Sequence, residues 1–246
     1  MKKEIVISST EYDTRVAILE DGKLVELQVE RPGADRMVGD IYKGVINTVL
    51  PGMQAAFVDI GMEKAAYLHS SDIAKESRGR YDADEEDEEE APAEIIRKTR
   101  RQGIETVLKK GQQILVQIIK EPISTKGPRI ASEISLPGRY LVMVPDDDHV
   151  RVSKRIADRG EKKRLRKLLA PLRPEGFGLI IRTEGEGKEE KDFAEDIKRL
   201  QKLWVKLKRK ADELPAPSLI HKEAEMIVSM IRDILTDEVQ KLVTDN

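Results

Sequence analysis

Residues 41–68 read IYKGVINTVLPGMQAAFVDIGMEKAAYL, and this stretch decides the fold. Its apolar runs predict three short strands, at Tyr42–Val49, Ala55–Asp59 and Ala65–Leu68. Glycine-containing turns separate these strands, the first of them at Pro51-Gly52. Strands this short, joined by tight turns, are typical of a small closed or nearly closed barrel.

Phe57 and Tyr67 are the informative side chains of these strands. Each lies in a strand that already has aliphatic residues to bury, so its ring can point into the core or outwards. In barrels that bind oligonucleotides, outward aromatic rings stack on unpaired bases while nearby lysines hold the phosphates. The pattern alone leaves both interpretations open.

The composition narrows the class of protein. The chain of 246 residues has no cysteine, so it forms no disulfide and no thiolate metal site, in agreement with a reducing cytoplasm. We find no signal-peptide pattern or long apolar run in the sequence, and we expect a cytoplasmic protein without a membrane span. Charged residues make up 37% of the chain and aromatic residues 4%, which favours a heavily solvated, multi-lobed molecule.

The net charge of -2 conceals an uneven distribution of charge. Residues 82–90, DADEEDEEE, hold eight acidic side chains, and outside this run 44 basic residues face 38 acidic ones. The remainder is mildly basic, which permits a polyanionic partner. We predict that the surrounding residues 77–93 form a disordered insertion in the barrel. An acidic mimic of RNA that competes for the barrel surface is the alternative.

Further elements are predicted around the barrel. Asp21-Gly22 separates two strand-like runs, which predicts a hairpin. Val25, Leu27 and Val29 alternate with polar residues, so we expect the second strand of this hairpin to bury them. Apolar periodicity predicts helices at 95–108, 161–172, 192–213 and 224–235, and further strands at 3–8, 113–120, 129–133, 140–144, 178–182 and 239–243.

A polar cluster after one predicted strand, Asp146-Asp147-Asp148-His149, is a candidate metal site. Carboxylates suit a hard divalent ion, but adjacent side chains do not all converge on one ion. A solvated turn is therefore the other interpretation. The matching alternative for function is a self-contained, metal-dependent nuclease that uses Asp146 and Asp148.

Arg182 and Thr183 end a predicted buried strand and precede the glycine-rich loop at 184–187. A guanidinium can grip a phosphate with two N–H groups, and a hydroxyl and loop amides add donors. A surface arginine that ends a strand is the equally compatible alternative. Nearby, residues 151–173 hold ten basic and two acidic side chains, a strongly positive stretch of the chain.

Five segments, read in order, resemble the amino-terminal part of the bacterial endoribonuclease E/G family. They are RVAILEDGKL, IYKGVINTVLPGMQAAFVDIG, SLPGRYLVMVP, GLIIRT and PAPSLIHKE. The resemblance implies an α+β, multi-lobed protein: an OB-fold β-barrel inserted in a split ribonuclease-H-like layer and followed by an α/β 5′-phosphate sensor region. The implied domains are 1–35 for the first part of the layer, 36–133 for the barrel with its insertion at 77–93, 134–215 for the sensor and 216–246 for the second, truncated part of the layer.

The resemblance also assigns roles to single residues. In the barrel, the residues that it implies for RNA binding are Phe57, Tyr67, Lys43, Lys120 and Lys126. For a 5′-monophosphate, the residues that it implies are Arg182, Thr183, Gly138, Val142, Lys154 and Arg155.

The activity that the resemblance implies is endoribonucleolytic cleavage in rRNA processing and mRNA decay. Its catalytic aspartates, which use magnesium, and its cysteine pair, which binds structural zinc, belong to a downstream region. We therefore expect this chain to hold no catalytic residue and no cofactor, and to be inactive alone. The implied partner is single-stranded RNA, preferably 5′-monophosphorylated, and the full-length protein is compatible with a homo-oligomer. A protein-interaction or assembly module is a further alternative.

Overall fold

The computed structural model describes residues 2–30, 36–73, 103–223 and 239–245, together with positions 228 and 232. They divide into two compact units, which we call the terminal unit, Met1–Arg36 with Ala224–Asn246, and the central unit, Met37–Glu223. The predicted insertion at 77–93 with its acidic run, and most of the helices predicted at 95–108 and 224–235, lie outside the described residues.

The strands and helices have the following bounds. The strands are β1 Lys3–Ser9, β2 Thr14–Glu20, β3 Lys23–Glu30, β4 Ile41–Leu50, β5 Ala55–Asp59, β6 Ala66–His69, β7 Gln113–Lys120, β8 Arg129–Ala131, β9 Leu136–Pro137, β10 Leu141–Pro145, β11 Val150–Val152, β12 Phe177–Ile181, β13 Ser218–His221 and β14 Val239–Thr244. The helices are α1 Ile104–Val107, α2 Arg159–Leu169 and α3 Glu190–Glu213. Within the described residues, we find no helix that is both long enough and apolar enough to cross a membrane.

In the terminal unit, one sheet joins strands from both ends of the sequence, in the order β14-β1-β2-β3. β14 runs parallel to β1, whereas β1, β2 and β3 are antiparallel neighbours. The predicted hairpin between β2 and β3 is confirmed. Its turn residues Asp21 and Gly22 have φ angles of 49° and 77°, in the left-handed region that Asp-Gly turns require.

The expected burial of Val25, Leu27 and Val29 is wrong, since they are 58%, 54% and 48% exposed. The strand pairing explains the error, because Gln28 of β3 lies opposite Val16 of β2, a core residue. Directly opposed residues share a face of the sheet, so the polar side of β3 faces the same way as the core. That core consists of aliphatic residues of β1 and β2: Ile5, Ile7, Val16 and Ile18.

The central unit begins with a closed five-stranded barrel, in which β4, β5, β6, β8 and β7 pair in that order and β7 pairs back onto β4. The three strands predicted in residues 41–68 are confirmed to within one residue at each end. Gly44 allows β4 to approach β5 closely, since a Cβ there would lie 2.6 Å from Cγ1 of Val58. Side chains that are at most 1% exposed fill the interior: Ile46, Val58, Leu68, Val116 and Ile130.

β4 is long enough to pair with three strands. Its first half pairs with β7 on one edge and β13 on the other, and its second half pairs with β5. The buried side chain of Gln117, on β7, adds a link to the chain that follows the barrel. Its amide nitrogen donates to the carbonyls of Gly39 (2.9 Å) and Ser135 (3.1 Å), and its oxygen accepts from the Ser135 amide (2.9 Å).

A second sheet of the central unit has the strand order β11-β12-β10-β9, and α2 and α3 cover one of its faces. Leu141 of β10 and Ile181 of β12 lie opposite each other on that covered face. Ile41, at the start of β4, belongs to the same apolar cluster and so packs the barrel against this sheet, whereas the barrel interior forms a separate cluster. The helices contribute mainly Leu165, Leu169, Phe193, Ile197, Leu200 and Trp204.

Candidate nucleic-acid interface

Phe57 and Tyr67 lie on the outer surface of the barrel. They are directly opposed on β5 and β6, with ring centroids 5.9 Å apart and planes inclined by 64°. Their strand neighbours Ala56, Val58 and Leu68 are fully buried, whereas both aromatic rings are half-buried. Alternation along the strands thus directs the rings outwards, and the interpretation as ordinary core residues is wrong.

Polar side chains surround this aromatic pair, and sequence reasoning missed two of them. The His69 ring lies 6.4 Å from the Tyr67 ring at 31°, and its Nδ1 accepts a hydrogen bond from the Ser71 amide. Arg129 lies opposite Tyr67 on β8, and its Nε donates to Asp72 at 2.8 Å. The signal for both residues was alternation, since His69 and Arg129 each flank a fully buried residue of their strand.

Lys126 and Lys120 are exposed on elements that are tied to the aromatic pair. Lys126 belongs to a loop that follows β7 and packs on β6, where the Tyr67 amide donates to the Pro128 carbonyl at 2.8 Å. Only glycine fits at position 127, because a Cβ there would lie 2.1 Å from the Ala65 carbonyl oxygen. Lys120 lies opposite Arg129, where β7 meets β8.

Lys43 has a different environment from the other barrel lysines. It is half-buried, and its ammonium donates to the carbonyls of Ala211 (2.8 Å) and Leu214 (3.0 Å) at the C-terminal end of α3. A cation is favourable at this end of a helix, where carbonyls lack intrahelical partners. Lys43 therefore lies at the junction of barrel and helix, with its ammonium engaged by the end of α3.

A second cluster of polar side chains lies at the end of β12, where Arg182 and Thr183 follow the strand. The Arg182 side chain is 21% exposed, and its Nη1 donates to the Gly138 carbonyl at 2.8 Å. Its Nε lies 3.4 Å from Glu184 Oε2. The guanidinium is therefore held in place by the chain before β10.

The parallel pairing of β11 and β12 adds Lys154 and Arg155 to this cluster. Val152 pairs with Ile181, so the carboxyl ends of the two strands meet at one edge of the sheet. There, the hydroxyls of Ser153 and Thr183 lie 3.4 Å apart, and the Arg155 amide donates to the Ser153 hydroxyl. Lys154 and Arg155 are both exposed. We call the set of Arg182, Thr183, Ser153, Lys154 and Arg155 the basic corner.

Gly138 and Val142 border the basic corner. The Gly138 amide donates to the Leu141 carbonyl at 2.8 Å, which closes the turn between β9 and β10. Val142 is half-buried and lies between Pro137 and Ile180, on the sheet face opposite to the helices. The structure thus brings all six predicted phosphate-binding residues to one end of this sheet.

Asp196 of α3 holds the same turn from below, and the sequence alone did not identify it. Its side chain is 3% exposed, and its Oδ2 accepts from the Tyr140 amide at 2.9 Å. A Cβ at position 138 would lie 2.3 Å from this oxygen, so glycine is required there by packing. Two cations lie over the Tyr140 ring, Arg139 at 5.1 Å and Lys188 at 5.5 Å from its centroid.

The glycine-rich loop at 184–187 does not offer the row of amide donors that the sequence suggested. The amides of Gly185 and Glu186 donate to the carbonyls of Arg182 and Thr183 in a tight turn. The Gly187 amide donates to Glu161 Oε1 at 2.8 Å. Side chains, and not these three amides, are therefore the donors at the basic corner.

The candidate metal cluster forms a turn that is satisfied internally. Asp147, Asp148 and His149 place ligand atoms within 4.8 Å of one another. Burial raises the pKa of the Asp147 carboxyl, but hydrogen bonds from His149 and backbone amides, together with Arg151, outweigh it, and its pKa lies below the ordinary value. Since Arg151 pairs with this carboxylate and His149 hydrogen-bonds to it, the cluster fits a turn better than a magnesium site.

Comparison with known proteins agrees with this geometry. Residues 35–130 match the model of the S1 RNA binding domain, and residues 135–246 match the model of the Ribonuclease E/G family. Ribonuclease G of Haemophilus influenzae is 38% identical over 243 residues, which cover 99% of this chain and 47% of that protein. Ribonuclease G of Escherichia coli is 37% identical over 246 residues, which cover 100% of this chain and 48% of that protein.

A longer relative matches the chain equally completely. Ribonuclease E of Nostoc sp. is 36% identical over 247 residues, which cover 100% of this chain and 33% of that protein. The chain spans about half the length of the ribonuclease G relatives that it matches. The two domain models follow each other along the sequence, and the matches to both ribonucleases span the two. The chain is therefore similar over its whole length to ribonucleases of the E/G family.

Proposed function

We propose that this chain binds single-stranded RNA along the barrel and docks a 5′-monophosphate at the basic corner. The observation that carries the proposal is the outward orientation of Phe57 and Tyr67 in a barrel that matches an RNA-binding domain. Unpaired bases stack on such rings, and Lys126, Lys120 and Arg129 supply positive charge for the phosphates around them.

The chemistry of the basic corner supports recognition of a terminal phosphate. The Arg182 guanidinium is oriented by the Gly138 carbonyl before any ligand arrives, which lowers the entropic cost of binding. Thr183 adds a hydroxyl, while Lys154 and Arg155 add positive charge. A triphosphate brings further negative charge beside the Glu184 carboxylate, which repels it, so we expect a monophosphate to be preferred.

The whole protein's activity follows from the same proposal. We infer that the chain is the amino-terminal part of an endoribonuclease, in which the barrel and the corner position RNA for cleavage by a region that follows. Magnesium and zinc, which the family resemblance implies, would belong to that region. We further propose that the terminal sheet β14-β1-β2-β3 is the ribonuclease-H-like layer, into which the barrel at 36–133 and the sensor at 134–215 are inserted.

Two single variants test the two parts of the proposal separately. Arg182→Ala should lower the preference for 5′-monophosphorylated over 5′-triphosphorylated RNA roughly tenfold or more, because a charge-assisted hydrogen bond contributes about 1.5–3 kcal/mol. Its affinity for RNA with a 5′-hydroxyl should change little. Phe57→Ala should lower the affinity for all three RNAs about equally, by roughly 5- to 100-fold, because stacking of one base on an aromatic ring contributes about 1–3 kcal/mol.

Fluorescence anisotropy measures these affinities with one RNA sequence, prepared with a 5′-monophosphate, a 5′-triphosphate or a 5′-hydroxyl. Arg209→Ala is the matched control for Arg182, because this exposed arginine of α3 pairs only with the exposed Glu213 in the contacts described. Tyr12, 81% exposed in the terminal unit, gives the control for Phe57. An unchanged preference in Arg182→Ala would contradict phosphate recognition at the basic corner. An unchanged affinity in Phe57→Ala would contradict base stacking on the barrel.

A further inference from the structure

The two helices that cover the second sheet carry lysines on their outer sides. On α2, Lys163 and Lys167 are exposed, and on α3 the exposed row is Lys198, Lys202 and Lys206. Neighbours in each row are four residues apart, so they lie about 5–6 Å from each other on one side of their helix. We call these five residues the lysine face.

The lysine face lies opposite the buried sides of both helices. Leu165 and Leu169 of α2 enter the core about half a turn away from Lys163 and Lys167. On α3, Leu200 and Trp204 enter the same core, about half a turn from Lys202. Since both helices pack on one sheet face, their outer sides form one surface of the central unit.

Between Asp196 and Asp212, every charged side chain of α3 is basic. Residues 198–210 hold seven basic side chains and no acidic one. Several other cations of the two helices stabilise the fold. Arg164 pairs with Glu161, Arg199 with Asp196 and Lys210 with a backbone carbonyl. Structural pairing therefore accounts for part of the positive charge, whereas the lysine face directs five ammonium groups to solvent without a structural task in the contacts described.

We propose that the lysine face is a second RNA-binding surface, which contacts the sugar–phosphate backbone and reads neither bases nor the 5′ end. Concentrated positive charge binds a polyanion by releasing its condensed counterions, and it needs no unpaired base. The single tryptophan of these helices, Trp204, is 8% exposed and packs in the core, so it offers no stacking platform. The surface consequently accepts paired RNA. The aromatic pair of the barrel requires unpaired bases for stacking and does not bind paired RNA in this way.

The chain runs directly from the basic corner into the first of the two helices. Thr183 contacts Ser153, and the segment from Ser153 leads through Arg155 directly into α2. An RNA whose paired region follows a short single-stranded 5′ end therefore meets positive charge where its helix begins. This part of the proposal rests on the proposed docking of the 5′ end, whereas binding of paired RNA at the lysine face does not.

Blunt duplex RNA with 5′-hydroxyl ends is the probe that isolates the lysine face. The variant with Lys198, Lys202 and Lys206 changed to glutamine should bind this duplex at least roughly tenfold more weakly at 0.1 M salt. The slope of log K against log salt concentration should fall in magnitude by about 3, because each lysine that neutralises a phosphate contributes about 1 to it. The variant with Lys163 and Lys167 changed to glutamine should show a slope smaller by about 2 for the same reason.

The matched control for the α3 variant changes Lys109, Lys110 and Lys222 to glutamine. These lysines are exposed in the central unit outside α2 and α3, so the control loses the same number of positive charges. Equal duplex affinity and equal salt slope in the α3 variant and in this control would overturn the proposal. A loss of binding to anionic phosphatidylserine vesicles with unchanged duplex binding would overturn it as well, in favour of a membrane surface. The 5′-monophosphate preference of both variants should match that of the unaltered chain, which separates this test from that of the basic corner.

Discussion

A single buried carboxylate positions the turn that orients the proposed phosphate-binding arginine. Asp196 accepts from the Tyr140 amide, the turn beginning at Gly138 closes over it, and the Gly138 carbonyl in turn accepts from Arg182. The aspartate contacts no RNA in this scheme. Its expected influence on phosphate recognition is therefore indirect, through the position of the turn.

Replacing this carboxylate should affect both stability and recognition. We expect Asp196→Ala to destabilise the fold by about 1–3 kcal/mol, because the partly buried Tyr140 amide loses its partner. The 5′-monophosphate preference should fall with it, while affinity for 5′-hydroxyl RNA persists. Urea unfolding and RNA anisotropy measure the two effects.

Arg199→Ala is the control for this prediction. It removes the partner that is 60% exposed and leaves the carboxylate in place, so an effect below about 1 kcal/mol is expected. A full loss of 5′ preference in Arg199→Ala, with none in Asp196→Ala, would contradict the positioning role.

Glu161 connects the start of α2 with the glycine-rich loop, and its charge is sensitive to acid. Hydrogen bonds from Arg164, and then from the Gly187 amide, lower the pKa of Glu161 from 4.5 to about 2. Because the pKa is lower in the folded state, this contribution to stability is present above pH 4.5. It is lost progressively as the pH falls towards 2.

Removing the arginine should reverse most of this effect. In Arg164→Gln, we expect the pKa of Glu161 to return towards 4.5, as measured by NMR titration of its side-chain carboxyl carbon. The Gly187 amide resonance should then titrate at the same, higher pH in the variant, because it reports the same hydrogen bond. An unchanged titration midpoint for Glu161 would show that Arg164 is not the main cause.

At the scale of elements, the barrel strands could be predicted because period-two alternation is strong there. Residues 41–68 alternate buried and outward positions with glycine-containing turns between them, and the predicted strand ends hold to within one residue. α2 and α3 were predicted within three residues at each end from their leucine and aromatic spacing. Local pattern therefore determines these elements.

The strands that the sequence did not reveal are short and depend on distant partners. β9 has two residues and β11 has three. β13 pairs with the first half of β4, from which almost the whole sequence of the central unit separates it. A short segment of this kind carries no periodic signal of its own. For the same reason, the hydrogen bonds of Lys43 at the end of α3 and the role of Asp196 could not be predicted from the sequence.

Gln117 is the element-scale link between the barrel and the sheet that carries the basic corner. Its side-chain amide forms hydrogen bonds with the backbone of Gly39 and Ser135, as a peptide group would, and this side chain is buried. We expect Gln117→Leu to destabilise the central unit by about 2 kcal/mol or more, since buried backbone groups lose their partners. Thermal unfolding followed by circular dichroism measures this loss.

Gln113, at the exposed start of the same strand, gives the comparison for Gln117. Gln113→Leu leaves no buried polar group unpaired, so its effect should stay within about 0.5 kcal/mol. Equal stability of the two variants would show that the buried amide contributes little.

At the scale of the whole molecule, function was predictable only through the family resemblance. Composition indicated a mildly basic chain compatible with a polyanion, and the aromatic pair was ambiguous until the strands were placed. The two units also differ in what they offer to RNA. The central unit contains the aromatic pair, the basic corner and the lysine face, whereas the terminal unit is a four-stranded sheet that joins both ends of the chain.

The packing of Ile41 against the second sheet fixes the distance between the barrel and the basic corner. Ile41 of the barrel packs in the same cluster as Leu141 and Ile181, which flank the basic corner. In the proposed complex, the span between stacked bases and a docked 5′ end is therefore set by protein packing and not by the RNA. Oligonucleotides shorter than this span occupy one site at a time, and those that reach across gain the effective concentration of a tethered second contact.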